Sequence, residues 1–242
     1  MERLTGQIAL VTGASQGIGK AIALGLVAQG AELCLVGRKV EALKAVADSI
    51  GSNGPRARSY CADLTRDEDV QQLAEGLTRD FGHLDILVHC AGTVFLGPLE
   101  RAPVAEFDVQ FRTNVRAPYA LTQALLPLLR ARRGQVVFIN SSVGLQARAN
   151  VGQYAATKHA LKAIADSLRQ EVNADGVRVL SVYPGRTATP GQAIIFQMEG
   201  RIPQPHLLMQ PEDVASMVVH ALCLPRTAEV TEIHMRPLVK SY

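Results

Sequence analysis

Short apolar runs alternate with longer segments of mixed polarity along most of the chain. In the longer segments apolar residues recur at helical spacing, as at Leu161, Ala165, Leu168 and Val172. The short runs are rich in β-branched residues, which is typical of parallel strands buried on both faces. The runs that fit this description are residues 8–13, 31–37, 56–63, 84–92, 135–142, 177–185 and 229–237.

This alternation predicts an α/β fold. Because crossovers between parallel strands are right-handed, we expect a Rossmann-type, doubly wound parallel sheet of seven strands flanked by helices. The long helical stretch 104–134 contains Pro118 and Pro127, where kinks are expected. No linker or repeat interrupts the pattern, so residues 1–242 are interpreted as one domain.

The segment from Pro184 to Pro211 departs from the alternation. It contains five prolines and the apolar stretch 193–198. A mobile lid that shapes a substrate pocket and a packed surface excursion both fit this composition.

A glycine-rich turn follows the first predicted strand. Gly13, Gly17 and Gly19 lie between that strand and the next helix. Glycine there allows a tight turn and lets the backbone approach a pyrophosphate, which the helix N-terminus would attract. The spacing differs from the common dinucleotide fingerprint, so a tight turn without a ligand is the alternative.

Arg38 and Lys39 follow the second predicted strand, where a dinucleotide fold reads the adenosine ribose. A carboxylate at this point would favour NAD, whereas a guanidinium suits a 2′-phosphate. We therefore expect NADP(H) as cofactor, unless the two side chains only solvate the loop.

Tyr154 and Lys158 lie one turn apart on the helix predicted after the fifth strand. A phenol has a pKa of about 10, and a nearby ammonium is expected to lower it toward neutrality for proton transfer. A packed tyrosine ring beside a solvated lysine is the alternative.

Six motifs in order resemble the classical short-chain dehydrogenase/reductase family over essentially the whole chain. They are TGASQGIG from Thr12, CADLT from Cys61, HCAG from His89, TNV from Thr113, NSSVG to YAATK from Asn140 to Lys158, and PGRTAT from Pro184. With Arg38, the resemblance implies a cofactor site of Gly13, Ser15, Gln16, Gly17, Ile18, Gly19, Arg38, Asp63, Leu64, Cys90, Ala91, Gly92, Tyr154, Lys158, Pro184, Gly185, Thr187 and Thr189.

The resemblance also implies the catalytic roles. Tyr154 would protonate a carbonyl oxygen, Ser141 would hydrogen-bond it, and Lys158 would hold the nicotinamide ribose and tune Tyr154. Asn114 would hold a water that re-protonates the site, or else satisfy a helix break near Pro118. His89 and Cys90 stand where the family usually has two asparagines, so a looser turn is expected there.

The implied function is NADP(H)-dependent reduction of a ketone to an alcohol, and a 3-oxoacyl thioester is one candidate substrate. Small alcohols, polyols and steroid-like molecules are equally open. A dinucleotide-binding sensor or scaffold without turnover is the alternative, with Cys90 as its best support.

Composition narrows the partners. The net charge of +3 is small and spread out, so neither a nucleic acid nor a membrane surface is expected as a partner. The four cysteines form no CxxC pair, and we expect no metal, no signal peptide and a cytoplasmic location. The resemblance further implies a homotetramer, or a dimer, in which the helices around residues 107–129 and Tyr154 pair across a two-fold axis.

Overall fold

The structure, a computed structural model, describes residues 3–50 and 56–239. All seven predicted strands are present in these ranges, and each is shorter than the apolar run that predicts it. They are β1 Ile8–Thr12, β2 Glu32–Gly37, β3 Ala57–Cys61, β4 Ile86–His89, β5 Gln135–Ile139, β6 Arg178–Pro184 and β7 Glu232–Met235.

The strands form one parallel sheet in the order β3-β2-β1-β4-β5-β6-β7. The chain builds outward from β1 to one edge, returns to place β4 beside β1, and then builds to the other edge. The carboxyl ends of β1 and β4 therefore flank the switch point where doubly wound sheets bind ligands. The predicted fold class is confirmed.

Helices cover both faces of the sheet. They are α1 Gly17–Val27, α2 Val40–Ile50, α3 Asp67–Phe81, α4 Val104–Phe111, α5 Ala117–Ala131, α6 Gly152–Val172, α7 Pro190–Met198 and α8 Pro211–Leu222. Alternate β1 residues enter different cores. Val11 packs in the core shared with α1, α2 and α8, and Leu10 packs in the core shared with α3, α5 and α6. Burial on both faces explains why β1 is continuously apolar.

The predicted helical stretch 104–134 is divided by a five-residue π-helical segment, Arg112–Arg116. Pro118 lies in the first turn of α5, where a missing N–H costs little, and α5 continues past Pro127. Single π-helical turns often mark functional sites, and this one contains Asn114.

The 184–211 segment is an excursion that begins at the carboxyl end of β6 and includes α7. Its two ends are joined by a parallel bridge between Thr187 and Met209. Ala188 N donates to Met209 O at 2.7 Å, and Met209 N donates to Arg186 O at 3.2 Å. The excursion is therefore pinned at its base.

Candidate active site

A cavity of about 900 Å³ opens at the carboxyl ends of the strands. It lies between the loops that follow β1 to β6, as expected for a doubly wound sheet. Every site residue implied by the sequence except Gly19 lines it. These residues are Gly13, Ser15, Gln16, Gly17, Ile18, Arg38, Asp63, Leu64, Cys90, Ala91, Gly92, Asn114, Ser141, Tyr154, Lys158, Pro184, Gly185, Thr187 and Thr189.

The glycine turn brings backbone, not side chains, to the floor of the cavity. Gly13 and Gly17 have positive φ values of 65° and 55°, which L side chains rarely adopt. A Cβ atom on Gly13 would lie 2.9 Å from the Ala91 Cα. Gly19 does not line the cavity; it is buried, and a Cβ there would collide with the Gly13 carbonyl. Gly19 thus shapes the turn from beneath.

The N-terminus of α1 faces this turn. The Gln16 side chain makes no capping hydrogen bond, and the first turn of α1 carries no acidic residue. Its unpaired N–H groups and the positive end of the helix dipole are therefore suited to an anionic group.

Thr12 holds the turn after β4, a role that the sequence analysis missed. Its Oγ1 accepts hydrogen bonds from the N–H groups of Cys90 and Ala91, each at 3.0 Å, and donates to Val88 O at 3.3 Å. The expected looseness of this turn is therefore not observed, because a β1 hydroxyl does the bracing. The sequence signal for this role was Thr12 itself, a polar residue at the end of the apolar β1 run.

His89 and Cys90 are accommodated differently. His89 stacks on Phe138 with ring centroids 4.9 Å apart, and its Nε2 lies 2.8 Å from Thr122 Oγ1. Burial lowers the pKa of His89 to about 3, so its ring is neutral near pH 7. Burial raises the pKa of the Cys90 thiol to about 12, which keeps it protonated beside Lys158.

Arg38 and Lys39 are exposed at one end of the cavity, directly after β2. Asp63 lies near them, and its Oδ1 accepts hydrogen bonds from Thr65 N at 3.0 Å and Thr65 Oγ1 at 2.7 Å. The bond from the Thr65 hydroxyl, assisted by the charge of Arg38, holds the pKa of Asp63 below its usual range. This end therefore offers two cations and one fixed carboxylate.

Tyr154, Ser141 and Lys158 meet at the other end. Ser141 follows β5, and its hydroxyl is hydrogen-bonded to the Tyr154 phenol. Lys158 is buried in the second turn of α6, where its Nζ donates to Ile139 O at 3.1 Å. The same Nζ lies 5.7 Å from the centroid of the Tyr154 ring.

The expected lowering of the Tyr154 pKa is wrong for this structure. Burial raises the pKa of Tyr154 to about 12, and the hydrogen bond with Ser141 opposes this only in part. Burial also lowers the pKa of Lys158 to about 8. Desolvation dominates for both groups, of which Lys158 is buried and Tyr154 is partly buried in the cavity wall, and the i, i+4 spacing alone does not reveal this. Near neutral pH the phenol is protonated and can donate.

Asn114 is buried at the π-helical segment, and its side chain braces the site. Its Nδ2 donates to Thr93 O at 2.8 Å and to Thr157 Oγ1 at 3.1 Å, and its Oδ1 accepts from Thr93 N at 2.8 Å. Both N–H groups of the Asn114 amide are already used. A water bound at Asn114 would therefore have to donate a hydrogen bond to an acceptor such as the backbone carbonyl of Asn114.

Neither a metal centre nor a membrane span emerges from the parts of the chain that the structure describes. Within residues 3–50 and 56–239, no cluster of three or more His, Cys, Asp or Glu side chains could hold a metal ion. In the same ranges, no helix has the length and apolar character needed to cross a bilayer.

A parallel sheet with a glycine turn at its switch point and a Tyr–Lys pair in one cavity defines a dinucleotide-binding α/β protein. The chain belongs to the short chain dehydrogenase family, whose model matches residues 7–200. It is thus an oxidoreductase of this family. The Pro184–Pro211 excursion extends beyond the matched residues.

Two curated proteins are similar in sequence to this chain. An uncharacterised oxidoreductase of Staphylococcus epidermidis is 33% identical over 239 residues, which cover 98% of this chain and 100% of the relative. Glycine betaine reductase of Emericella nidulans is 31% identical over 97% of this chain, but the match spans only 19% of that longer protein.

Solved structures of similar chains contain nicotinamide cofactors. A short-chain oxidoreductase from a metagenome, in complex with NADP, has a TM-score of 0.85 and 32% identity, and the match covers 98% of this chain and 100% of that one. A short-chain dehydrogenase from Escherichia coli, complexed with NADPH, has a TM-score of 0.87 and 34% identity, with 96% and 98% covered. An alcohol dehydrogenase from Thermococcus sibiricus, complexed with 5-hydroxy-NADP, has a TM-score of 0.89 and 27% identity, with 98% of both chains covered.

Proposed function

We propose that this chain is an NADP(H)-dependent reductase that converts a carbonyl compound to an alcohol. The observation that carries the proposal is the meeting of a phenol, a hydroxyl and an ammonium, from Tyr154, Ser141 and Lys158, in the same cavity as the glycine turn. A binding protein would need the turn, but it would not need a proton donor paired with a hydroxyl and a buried cation.

The residues at the other end fit the proposed cofactor. The close approach of Gly13 to Ala91 and the uncapped N-terminus of α1 suit a pyrophosphate. Arg38 and Lys39 suit a 2′-phosphate, which NADP(H) carries and NAD(H) lacks. The NADP and NADPH complexes of similar chains support the same choice. When bound, the reduced nicotinamide supplies the hydride.

The chain's own residues supply the proton and the charge stabilisation. Tyr154 donates its phenolic proton to the carbonyl oxygen. Because its pKa is raised, the phenol is protonated at neutral pH and can make this donation. Ser141, hydrogen-bonded to that phenol, donates to the same oxygen as negative charge develops. The Lys158 ammonium then stabilises the phenolate, and the Asn114 side chain keeps α6 in place through Thr157.

We assign four aliphatic residues that line the cavity, Val94, Leu96, Val143 and Ile195, to the wall that would face the substrate. This lining supports an aliphatic carbonyl compound, and a 3-oxoacyl thioester is the candidate that we would test first. A polyol would have fewer hydrogen-bonding partners on such a wall.

We further propose that the Pro184–Pro211 excursion shapes the substrate pocket. Gln192 and Ile195 of α7 line the cavity, as does the ion pair of Arg186 with Glu199, whose atoms are 2.7 Å apart. Glu199→Gln should change the preference among carbonyl substrates while leaving NADPH affinity unchanged. A changed NADPH affinity with unchanged preference would contradict this role.

The alternative function, a dinucleotide-binding sensor without turnover, is favoured by one observation. Cys90 places a thiol at a cavity position where the family usually has asparagine. The two functions are separated by following NADPH oxidation with a panel of ketones, including a 3-oxoacyl thioester. Turnover that is lost in Tyr154→Phe without loss of NADPH binding supports the reductase. Tight NADPH binding with no turnover of any member of the panel supports the sensor.

A homotetramer, or a dimer, completes the proposal. Val104, Phe111 and Tyr119 are exposed on α4 and α5, the helices expected to pair across a two-fold axis. Apolar side chains on neighbouring helices favour such an interface. Phe111→Asp and Tyr119→Asp should shift the mass in solution toward the monomer, as measured by light scattering, whereas an unchanged mass would place the interface elsewhere.

A further inference from the structure

Residues 93–97 form one wall of the cavity, although they belong to no strand of the sheet. Thr93, Val94 and Leu96 line the cavity at its substrate end. Backbone N–H groups must be satisfied even where no neighbouring strand is present. The position of this wall therefore depends on the groups that accept hydrogen bonds from its backbone N–H groups.

Alternate N–H groups of the wall are bound by three acceptors from three different elements. This is the spacing with which an extended strand bonds to a partner strand, but here the partners are two side-chain amides and one loop carbonyl. The hydrogen bonds run from Thr93 N to Asn114 Oδ1 at 2.8 Å, from Phe95 N to Gln110 Oε1 at 3.0 Å, and from Gly97 N to Asn150 O at 2.9 Å.

Gln110 is the central support of the three. It is fully buried in α4, one helical turn before Asn114, and it does not line the cavity. Its Nε2 has no hydrogen-bond partner among the described residues, so its Oε1 makes the bond to Phe95 while the rest of the amide is left unsatisfied. Burying an amide for one hydrogen bond is unfavourable, and a shorter or apolar side chain would avoid that cost.

We propose that Gln110 is a positioning residue that sets the substrate wall and thereby the choice of carbonyl substrate. It acts through the Phe95 backbone, which places Val94 and Leu96 against the substrate. Because Gln110 and Asn114 lie one turn apart across the start of the π-helical segment, the wall and the catalytic end are held by the same helix. The effect on substrate choice rests on the proposed reductase function, whereas the support of the wall does not.

The first test uses the unmodified full chain. Amide hydrogen exchange should show the Phe95 and Gly97 N–H groups protected to the level of neighbouring secondary structure, although they lie in no strand. Fast exchange at Phe95 in this protein would overturn the proposal without any variant.

The second test compares Gln110→Met with Gln110→Glu, which keeps an acceptor oxygen, and with Gln135→Met as a matched control. Gln135 is also buried and also makes one side-chain hydrogen bond to the backbone, although as a donor, from its Nε2 to Leu222 O at 3.1 Å. It lies at the start of β5, away from the cavity. Gln110→Met should lose the protection of Phe95 and raise the KM for the carbonyl about tenfold, with NADPH affinity unchanged. Gln110→Glu should restore much of the exchange protection of Phe95 and bring the carbonyl KM back toward that of the unmodified protein.

Two results would overturn the proposal. One is an equal change in carbonyl KM in Gln110→Met and Gln135→Met, which would mean general destabilisation. The other is full Phe95 protection in Gln110→Met. If the unmodified protein reduces no carbonyl, the reductase function fails, and exchange at Phe95 still decides whether Gln110 supports the wall.

Discussion

The side chain of Asn140 joins the end of β5 to α6, the helix that carries Tyr154 and Lys158, through the backbone of Lys158. Its Nδ2 donates to Lys158 O at 3.0 Å, and its Oδ1 accepts from Ser141 N at 2.8 Å. The distance between the serine and the Tyr154–Lys158 turn therefore depends on one buried amide. A Cβ on Gly144 would lie 2.5 Å from Asn140 Oδ1 and 3.1 Å from the Lys158 Cβ, so only glycine allows this approach.

Asn140→Ala should reduce both stability and turnover. It leaves the Lys158 carbonyl and the Ser141 N–H without their partner, and we expect unfolding to become easier by about 1–3 kcal/mol. Chemical denaturation measures the stability, and NADPH oxidation measures the turnover. Gln123→Ala, at an exposed position of α5, is the control that should change neither. If the Asn140→Ala variant were as stable as the unmodified protein, the Asn140 amide would not be what holds β5 and α6 together.

Gly13→Ala should weaken NADPH binding. Alanine at a φ of 65° is strained, and its Cβ would press on Ala91 at 2.9 Å. We expect an affinity loss of about tenfold or more, which corresponds to about 1.4 kcal/mol, and fluorescence titration with NADPH measures it. Gly76 lies in α3, and the atoms nearest to a new Cβ there are 3.7 Å away, so the Gly76→Ala variant should bind NADPH normally. Normal binding by Gly13→Ala would remove the glycine turn from the proposed cofactor site.

Arg38→Asp should reverse the cofactor preference. The change removes a charge-assisted hydrogen bond to the 2′-phosphate, worth about 1.5–3 kcal/mol, and supplies an acceptor for a free ribose hydroxyl. The ratio of kcat/KM for NADPH to that for NADH should therefore fall at least about tenfold. Lys44→Asp, exposed on α2, makes the same charge change without lining the cavity and should keep the ratio. A preference for NADH in the unmodified protein would overturn the role of Arg38.

His89 should make the protein sensitive to acid. Its pKa is about 3 in the folded chain, against 6.5 when it is free of burial, so between these values the unfolded chain binds a proton that the folded chain does not. Stability must then fall as pH decreases through this range, by about 2 kcal/mol between pH 7 and pH 5.

His89→Asn should remove that part of the pH dependence. Unfolding free energies at the two pH values, compared between the variant and the unmodified protein, isolate the contribution of this ring. His206→Asn, at an exposed position, should keep the original pH dependence. Parallel curves for His89→Asn and the unmodified protein would mean that His89 is protonated in the folded state.

Much of the fold and the composition of the candidate site could be predicted from local patterns. The strands were recognisable because residues such as Ile8 to Val11 of β1 are buried on both faces of the sheet and so form an uninterrupted apolar run. The glycine turn and the Tyr154–Lys158 pair were recognisable because their spacing within a turn or a helix fixes which groups face one way. NADP(H) was predicted from Arg38 and Lys39, because they directly follow the end of β2.

The remaining features depend on contacts between residues far apart in the chain. Thr12 braces the turn after β4, Asn140 joins β5 to α6, and Gln110 supports a wall that follows β4; each bond spans 15 to 79 residues. No local pattern encodes such partners. The raised pKa of Tyr154 is likewise set by desolvation, which the hydrogen bond with Ser141 opposes only in part. The sequence by itself determined the seven strands of the sheet and which side chains gather at the switch point. Only the tertiary structure decided how those side chains are held and charged, because desolvation and hydrogen bonding depend on neighbours that folding alone brings together.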